Sequence, residues 1–185
     1  MADVFNLTFT GDQENPPTGS GASGTGTVRW DGATSTARYE YTVEVVDFGP
    51  VLGMEPQTET TADDVTVMHV HNQSRGTNGP VAFGQIGPAQ DADDLDIALN
   101  DDGSWTVSGA WEPTVPANAP IGNFADALDT AFAGLDVPLY FNIHTTAFPG
   151  GEIRAQWVAE GETVDWDAVA ARVLENFEAT GQWFL

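Results

Sequence analysis

Residues 27–46, TVRWDGATSTARYEYTVEVV, contain two runs of alternating apolar and polar side chains on either side of an Asp31-Gly32 turn signal. In the second run, every other residue from Tyr39 to Val45 is aromatic or β-branched. Successive side chains of a strand point to opposite faces, so such a run has one face suited to a core and one suited to water. The stretch therefore predicts an antiparallel β-hairpin with one buried face.

Similar short runs recur along the chain and are separated by clusters of Gly, Pro, Asn and Asp. The predicted strands cover residues 4–10, 27–30, 37–46, 65–71, 81–86, 105–111, 139–144 and 151–158. Residues 12–26 are rich in Gly, Pro and Ser and predict a loop. Many short strands with turn signals between them predict an all-β fold, either a sandwich or a barrel.

Residues 123–133 have helical rather than strand periodicity. Asn123 is of a type that caps helices at their start, and Gly134 is of a type that ends them. Phe124, Leu128 and Phe132 would lie on one face of this segment. The pattern predicts a short helix.

A second, amphipathic helix is predicted near the C-terminus, where Asp165 can cap a run whose apolar residues from Trp166 to Phe177 recur at helical spacing. The chain is therefore expected to consist of a β domain over residues 1–160 and a helical extension over residues 161–185. The apolar stripe of the extension needs a partner surface. Either the β domain or a second copy of the chain, in a homodimer, could provide it.

Acidic residues dominate the charge: 28 Asp and Glu stand against five Arg and no Lys, a net charge of −23. Nucleic acid is not expected as a partner, because neutralising its phosphates needs a basic surface. The lack of cysteine excludes disulfides and thiolate metal sites. No run of 18 apolar residues is present that could span a membrane.

All three histidines fall in predicted strands. His69 and His71 are two residues apart, so they share one face of their strand, while their apolar neighbours take the core face. His144 shares its face with Tyr140 and Asn142. We therefore expect all three imidazoles to project away from the core. On spacing alone, two interpretations stay open: a metal site with three nitrogen ligands, or histidines that are solvated or hydrogen-bonded to loops.

Four stretches around these histidines carry a family resemblance: residues 9–17 (FTGDQENPP), 68–71 with 79–81 (MHVH and GPV), 139–145 (LYFNIHT) and 149–154 (PGGEIR). In this order they are similar to the motifs of the CHRD family, the module first named from chordin. Together they span about residues 5–158. The resemblance implies a Greek-key β-sandwich or barrel akin to that of Cu/Zn superoxide dismutase.

In that enzyme, a His-x-His pair on one strand and a third histidine on a later strand hold copper. The resemblance therefore implies copper at His69, His71 and His144, with zinc as a second metal that the same ligands suit. The chain also departs from the enzyme. It has no fourth histidine to act as a bridging or zinc ligand, and no cysteine for the disulfide. The implied site is a copper-only one.

Several polar residues are expected to support these ligands. Asn142 could orient a histidine through a hydrogen bond, and Tyr140 could lie near the metal. Glu152 and Arg154 share one face of their predicted strand. If that face is the histidine face, Glu152 would support the site and Arg154 would guide an anion or hold a loop. The alternative is a structural ion pair, and Arg75, in the loop after His71, is open to the same two interpretations.

Six aspartates lie close together in the middle of the chain: Asp91, Asp93, Asp94, Asp96, Asp101 and Asp102. Calcium needs six to eight converging oxygen ligands. The segment has neither an EF-hand pattern nor a nonapeptide repeat. A solvated acidic loop is therefore the preferred interpretation.

Two functions follow from these features. The first is copper binding, for redox chemistry of the dismutase type or for copper storage and delivery. Dismutase activity is expected to be weak or absent, because superoxide is an anion and the net charge of −23 opposes its approach. The second is a non-catalytic extracellular interaction module. The expected location is extracellular or periplasmic; Met1 is followed directly by an acidic strand-like segment without a visible signal peptide, which leaves the cytoplasm open as well.

Overall fold

The computed structural model describes residues 4–87, 91–113, 120–161 and residue 174. These residues form an all-β fold with one short helix, as predicted. The strands are β1 (Val4–Thr10), β2 (Ser23–Asp31), β3 (Thr36–Glu44), β4 (Val65–Asn72), β5 (Val81–Ile86), β6 (Asp96–Leu99), β7 (Trp105–Trp111), β8 (Asp136–Thr145) and β9 (Ile153–Ala159). The helix is α1 (Ala125–Asp129).

The nine strands form one antiparallel sheet in the order β5-β4-β8-β9-β1-β2-β3-β7-β6. The connections from β3 to β4 and from β7 to β8 pass between distant parts of the sheet, as in Greek-key arrangements. The sheet curls into a half-barrel, and one face of it encloses the core. This architecture confirms the prediction of a barrel-like all-β fold.

Aromatic side chains fill the core and join the two ends of the sheet. The ring centroids of Phe83, from β5, and Trp111, from β7, are 4.6 Å apart, although these strands share no backbone hydrogen bonds in the sheet order. Trp111 also packs on Tyr39, at 4.3 Å, and on Trp157, at 5.9 Å. Burying such large apolar surfaces is the main driving force for folding, and here it also curls the sheet.

The segment that follows β5 bridges the same gap. The backbone N–H of Asp91 donates a hydrogen bond of 2.8 Å to the carbonyl of Gly84 in β5. A carboxylate oxygen of Asp94 accepts a hydrogen bond of 3.1 Å from the N–H of Ala110 in β7. Polar contacts therefore connect the two ends of the sheet on its outer side.

The loop predicted over residues 12–26 is wrong at its end, because β2 already begins at Ser23. The glycines in this part of the strand are needed because β3 packs closely against it, and they do not indicate a loop. A side chain at Gly26 would place its Cβ 2.3 Å from the carbonyl oxygen of Glu40 and 2.3 Å from the Cβ of Tyr41. The close approach of β3 thus excludes any larger residue.

The predicted alternation of β3 fails at its last position. The strand ends at Glu44, and Val45, which was expected on the core face, has a positive φ of 64° and is 62% exposed. The next residue, Val46, is buried instead. The chain turns after Glu44, and this turn moves the buried position by one residue.

The helix predicted over residues 123–133 is shorter than expected. Asn123 lies inside a 3₁₀ turn, Ile121–Phe124, and does not cap α1, which spans Ala125–Asp129. Phe132, which was expected on the same helical face as Leu128, lies beyond the helix and is 55% exposed. Leu128 is the residue that α1 buries.

The predicted C-terminal helix lies outside the described residues, apart from residue 174, and so does the homodimer contact attributed to it. Both stay predictions, as does the boundary between a β domain and an extension. In the part of the chain that the structure describes, no helix is long and apolar enough to cross a membrane.

Candidate metal centre

The pairing of β4 with β8 brings the three histidines together. In the register, His69 lies opposite Asn142 and Val67 lies opposite His144. The Nε2 atoms of His69 and His144 are 2.9 Å apart. The ring centroid of His69 is 4.5 Å from that of His71 and 4.6 Å from that of His144. The cluster is therefore compact enough for its three rings to share one ion.

The faces of the two strands are as predicted. On the core side, β4 and β8 bury apolar side chains without solvent exposure: Met68, Val70, Leu139, Phe141 and Ile143. The histidines project from the other side of the sheet, where loops cover them. His69 and His144 are consequently buried although they do not belong to the core.

Backbone carbonyls orient two of the rings. The Nδ1 of His71 lies 2.7 Å from the carbonyl oxygen of Gly79, and the Nδ1 of His144 lies 3.0 Å from that of Pro149. A carbonyl oxygen can only accept, so each Nδ1 carries the hydrogen and donates it. In the neutral rings, Nε2 then carries the lone pair: that of His144 accepts a hydrogen bond from the Nε2 of His69, 2.9 Å away, and the buried Nε2 of His71 has no hydrogen-bond partner. This arrangement leaves Nε2 ready to bind a metal.

Burial keeps the histidines neutral. Burial, together with the neighbouring rings of His71 and His144, which repel a positive charge, lowers the pKa of His69 to about 3. Burial also lowers the pKa values of His71 and His144. Neutral imidazoles are the form that binds metal ions, so protons compete weakly for this site at neutral pH.

Tyr140 and Arg154 form the wall beside His71. The rings of His71 and Tyr140 stack at 4.8 Å with an angle of 9° between their planes. The guanidinium carbon of Arg154 lies 3.4 Å from the centre of the Tyr140 ring. Tyr140 therefore lies next to the histidine cluster.

Arg154 has no solvent-accessible surface, and it holds the loop after β4. Its two terminal nitrogens donate to the carbonyl oxygens of Thr77, at 3.0 Å, and Ser74, at 2.9 Å. These contacts match the loop-holding role. Guidance of an anion by Arg154 stays a prediction, which its burial does not favour.

Arg75, the other candidate anion guide, is more exposed. It donates to both carboxylate oxygens of Asp136, at 2.8 and 2.9 Å, and to the side-chain oxygen of Gln13, at 2.5 Å. Its charge is therefore already paired with a carboxylate. The role of an anion guide stays a prediction for this residue too.

Asn142 and Glu152 differ in their relation to the cluster. Asn142 is buried between Tyr140 and His144 along β8, and its side-chain oxygen has no hydrogen-bond partner. Glu152 accepts hydrogen bonds from the hydroxyls of Ser20, at 2.6 Å, and Thr145, at 2.5 Å. Glu152 thus supports the turn after β8 rather than a histidine, and among the described residues it forms no ion pair with Arg154.

Sequence reasoning did not place Glu14 near this site. Its side chain is only 7% exposed, and its Oε1 has no hydrogen-bond partner. Burial raises its pKa to about 7, against the opposing effects of Arg154 and Asn142. The signal that could have revealed it is its position inside one of the four resemblance motifs, two residues before Pro16-Pro17.

All four resemblance motifs meet at the histidines. The side chain of Asn78 donates to the carbonyl of Asn15, which joins the loop after β4 to the loop after β1. The turn after β8 provides the carbonyl of Pro149 for His144. Motifs that are far apart in the chain therefore build one loop-covered site.

The fold and this cluster define a class: an all-β, barrel-like domain with three neutral histidines on adjacent strands beneath converging loops. The chain belongs to the CHRD family, since a family model described as CHRD domain matches residues 5–157. Searches of curated proteins and of solved structures found no match.

Proposed function

We propose that this protein binds one copper ion through the Nε2 atoms of His69, His71 and His144. The observation that carries the proposal is the buried, unpartnered Nε2 of His71 beside the two other Nε2 atoms. In a protein without metal, a buried nitrogen that accepts no hydrogen bond is unfavourable, and a metal ion would satisfy it.

The geometry is close to what such an ion needs. Two imidazole nitrogens bound at 2.0–2.1 Å with a tetrahedral angle are about 3.3 Å apart. The observed 2.9 Å between His69 and His144 would have to widen by only about 0.4 Å on this basis. Nitrogen ligands suit copper and also zinc, so zinc is the competing metal for the same site.

Three protein ligands leave a position open for a further group, which supports redox chemistry as well as storage or delivery of copper. The likeness to Cu/Zn superoxide dismutase is part of this proposal. We expect little or no dismutase activity, because the net charge of −23 repels superoxide. Arg75 is paired with Asp136, and Arg154, which forms no ion pair among the described residues, is buried away from solvent.

The test is electron paramagnetic resonance of the protein loaded with one equivalent of Cu(II). We expect nitrogen hyperfine structure from imidazole ligands. It should disappear in the triple variant His69→Ala/His71→Ala/His144→Ala, which removes every histidine in the chain. Tyr140→Phe, which keeps the ring next to His71, is the matched control and should retain the signal.

Two results would refute copper binding at this site. One is a wild-type spectrum without nitrogen hyperfine structure. The other is a signal that survives in the triple variant, because its ligands must then lie elsewhere, for example at the N-terminal amine. Metal analysis of the purified protein would separately show whether copper or zinc is taken up during production.

Family membership supports a second candidate, an extracellular interaction module without catalysis. This view predicts protein that is purified free of metal and whose melting temperature does not respond to copper. It also assigns the histidines a structural role in holding the loops. A copper-dependent rise in melting temperature that the triple variant lacks would decide against it.

A further inference from the structure

A second group of potential metal ligands lies where the two ends of the sheet meet. Asp91 and Asp93 belong to the segment after β5, and Glu112 directly follows β7. One side-chain oxygen from each residue lies within 4.8 Å of the others. These residues belong neither to the histidine cluster nor to the loops that cover it.

Asp91 is the unusual member of this group. The residue is 3% exposed, and both of its carboxylate oxygens are shielded from solvent without a hydrogen-bond partner. The expectation of a solvated loop is therefore wrong for Asp91, although Asp93 and Asp94 are exposed as predicted. A buried carboxylate without a partner costs several kcal/mol, so it needs either a proton or a cation.

The surroundings add negative charge to the group. Burial, together with the side chain of Asp93 and the charges of Glu112 and Asp94, raises the pKa of Asp91 to about 7. Burial and the same neighbours raise the pKa of Glu112, which the charge of Arg38 partly opposes. Within the described ranges, the salt bridge present joins Arg75 to Asp136, so no basic side chain forms an ion pair with these acids.

We propose that Asp91, Asp93 and Glu112 bind a hard divalent cation, with calcium as the preferred ion. The ligands are all carboxylates, the type that calcium selects and copper does not. Two oxygens that each lie 2.3–2.6 Å from one calcium ion are at most about 5.2 Å apart, and the observed limit of 4.8 Å agrees with this. Water and second carboxylate oxygens would complete the six to eight ligands.

The position of the site gives the ion a structural role. Asp91 is attached to β5 through the carbonyl of Gly84, and Glu112 extends β7. An ion between them connects the two ends of the open sheet at the gap that Phe83 and Trp111 cover from the inside. Calcium would therefore close the half-barrel, a function independent of the histidines.

The test is the thermal unfolding of the full chain after treatment with a chelator, with and without CaCl₂, at an ionic strength held constant with NaCl. We expect calcium at 100 times its dissociation constant to raise the melting temperature by about 5 °C or more. Isothermal titration calorimetry should give a stoichiometry of one tight site.

Variants distinguish this site from general attraction of calcium to an acidic surface. Asp93→Asn, at an exposed position, and Glu112→Gln should each abolish the calcium-dependent shift, and circular dichroism should show that they are folded. Asp101→Asn removes the same charge in the exposed β6–β7 turn and should keep the shift. The triple histidine variant should also keep it, so this test stands whether or not copper binding is confirmed.

If calcium raises the melting temperature of the wild type by less than 1 °C, the proposal is overturned, and Asp91 is a protonated buried acid. A shift retained in both Asp93→Asn and Glu112→Gln would overturn it as well. Equal loss of the shift in Asp101→Asn would show that only the net charge of the surface is being measured.

Discussion

Gly151 illustrates how much a single residue constrains the histidine site. Its φ is 120°, and a Cβ there would lie 2.5 Å from the side-chain oxygen of Asn142 and 2.9 Å from Oε1 of Glu14. Gly151→Ala should therefore reduce the free energy of unfolding by about 2 kcal/mol or more, measured by urea denaturation. Gly150→Ala is the matched control, since nothing lies within 4 Å of its Cβ, and its cost should be clearly smaller. Equal costs would contradict this account.

Glu14 should make stability depend on pH in a defined direction. Burial raises its pKa from 4.5 to about 7 in the folded protein. Between these values the folded state keeps a proton that the unfolded chain releases, so the stability contributed by Glu14 is complete below pH 4.5 and falls as the pH rises to 7. The total loss is about 3 kcal/mol.

The measurement is the free energy of unfolding of wild type and Glu14→Gln at several pH values. Taking the difference between the two proteins removes the effects of other titrating groups. Relative to wild type, Glu14→Gln should gain stability as the pH rises from 4.5 to 8. Glu59→Gln, the same substitution at an exposed position, is the matched control. A constant difference for Glu14→Gln would show that its carboxyl titrates normally.

At the scale of elements, the loop after β4 depends on one buried arginine. Arg154 bonds two carbonyls of this loop and contacts the ring of Tyr140. Lysine cannot make both bonds, so Arg154→Lys should cost about 2–4 kcal/mol. It should also speed hydrogen exchange at the amide of Gly79, whose N–H donates a hydrogen bond to the Tyr140 hydroxyl.

Arg75→Lys is the control for that change. Arg75 lies in the same loop, but its bond to Asp136 is exposed, so the substitution should cost less than about 1 kcal/mol. The exchange rate at Gly79 should stay close to that of wild type. If both variants behave alike, the loop is not held by the buried guanidinium.

Strands were predicted more accurately than the other elements. The bounds of β1, β5 and β7 agree with the sequence pattern, because alternation is a local property that each strand displays along its own length. The predicted helix was too long, because the length of α1 depends on where the neighbouring turns leave the sheet. The start of β2 was predicted wrongly, because its glycines are required by the close approach of β3. The sequence of β2 alone does not reveal that approach.

For the whole molecule, charge is the dominant property. With a net charge of −23, the folded state repels itself, and salt screens that repulsion. The melting temperature at pH 7 should therefore rise between 0.05 and 1 M NaCl, by an amount on the order of 5 °C or more. At pH 4, close to the pI of about 4.1, the carboxylates are largely neutral and the gain should shrink. An equal gain at both pH values would mean that salt acts through burial of apolar surface instead.

By itself, the sequence determined the all-β class, the faces of most strands and the side of the sheet from which the three histidines project. These follow from alternation along single strands, since a residue two positions away always returns to the same face. The resemblance to the family motifs grouped the same three histidines into one predicted site.

Contacts between distant residues became visible with the folded chain alone. The register between β4 and β8 brought His144 to within 2.9 Å of His69, and the fold placed Glu14 beside Asn142 and Arg154 beside Tyr140. The curl of the sheet put Asp91 beside Glu112. Such contacts depend on strand register, loop course and burial across the whole domain, and no local periodicity encodes these.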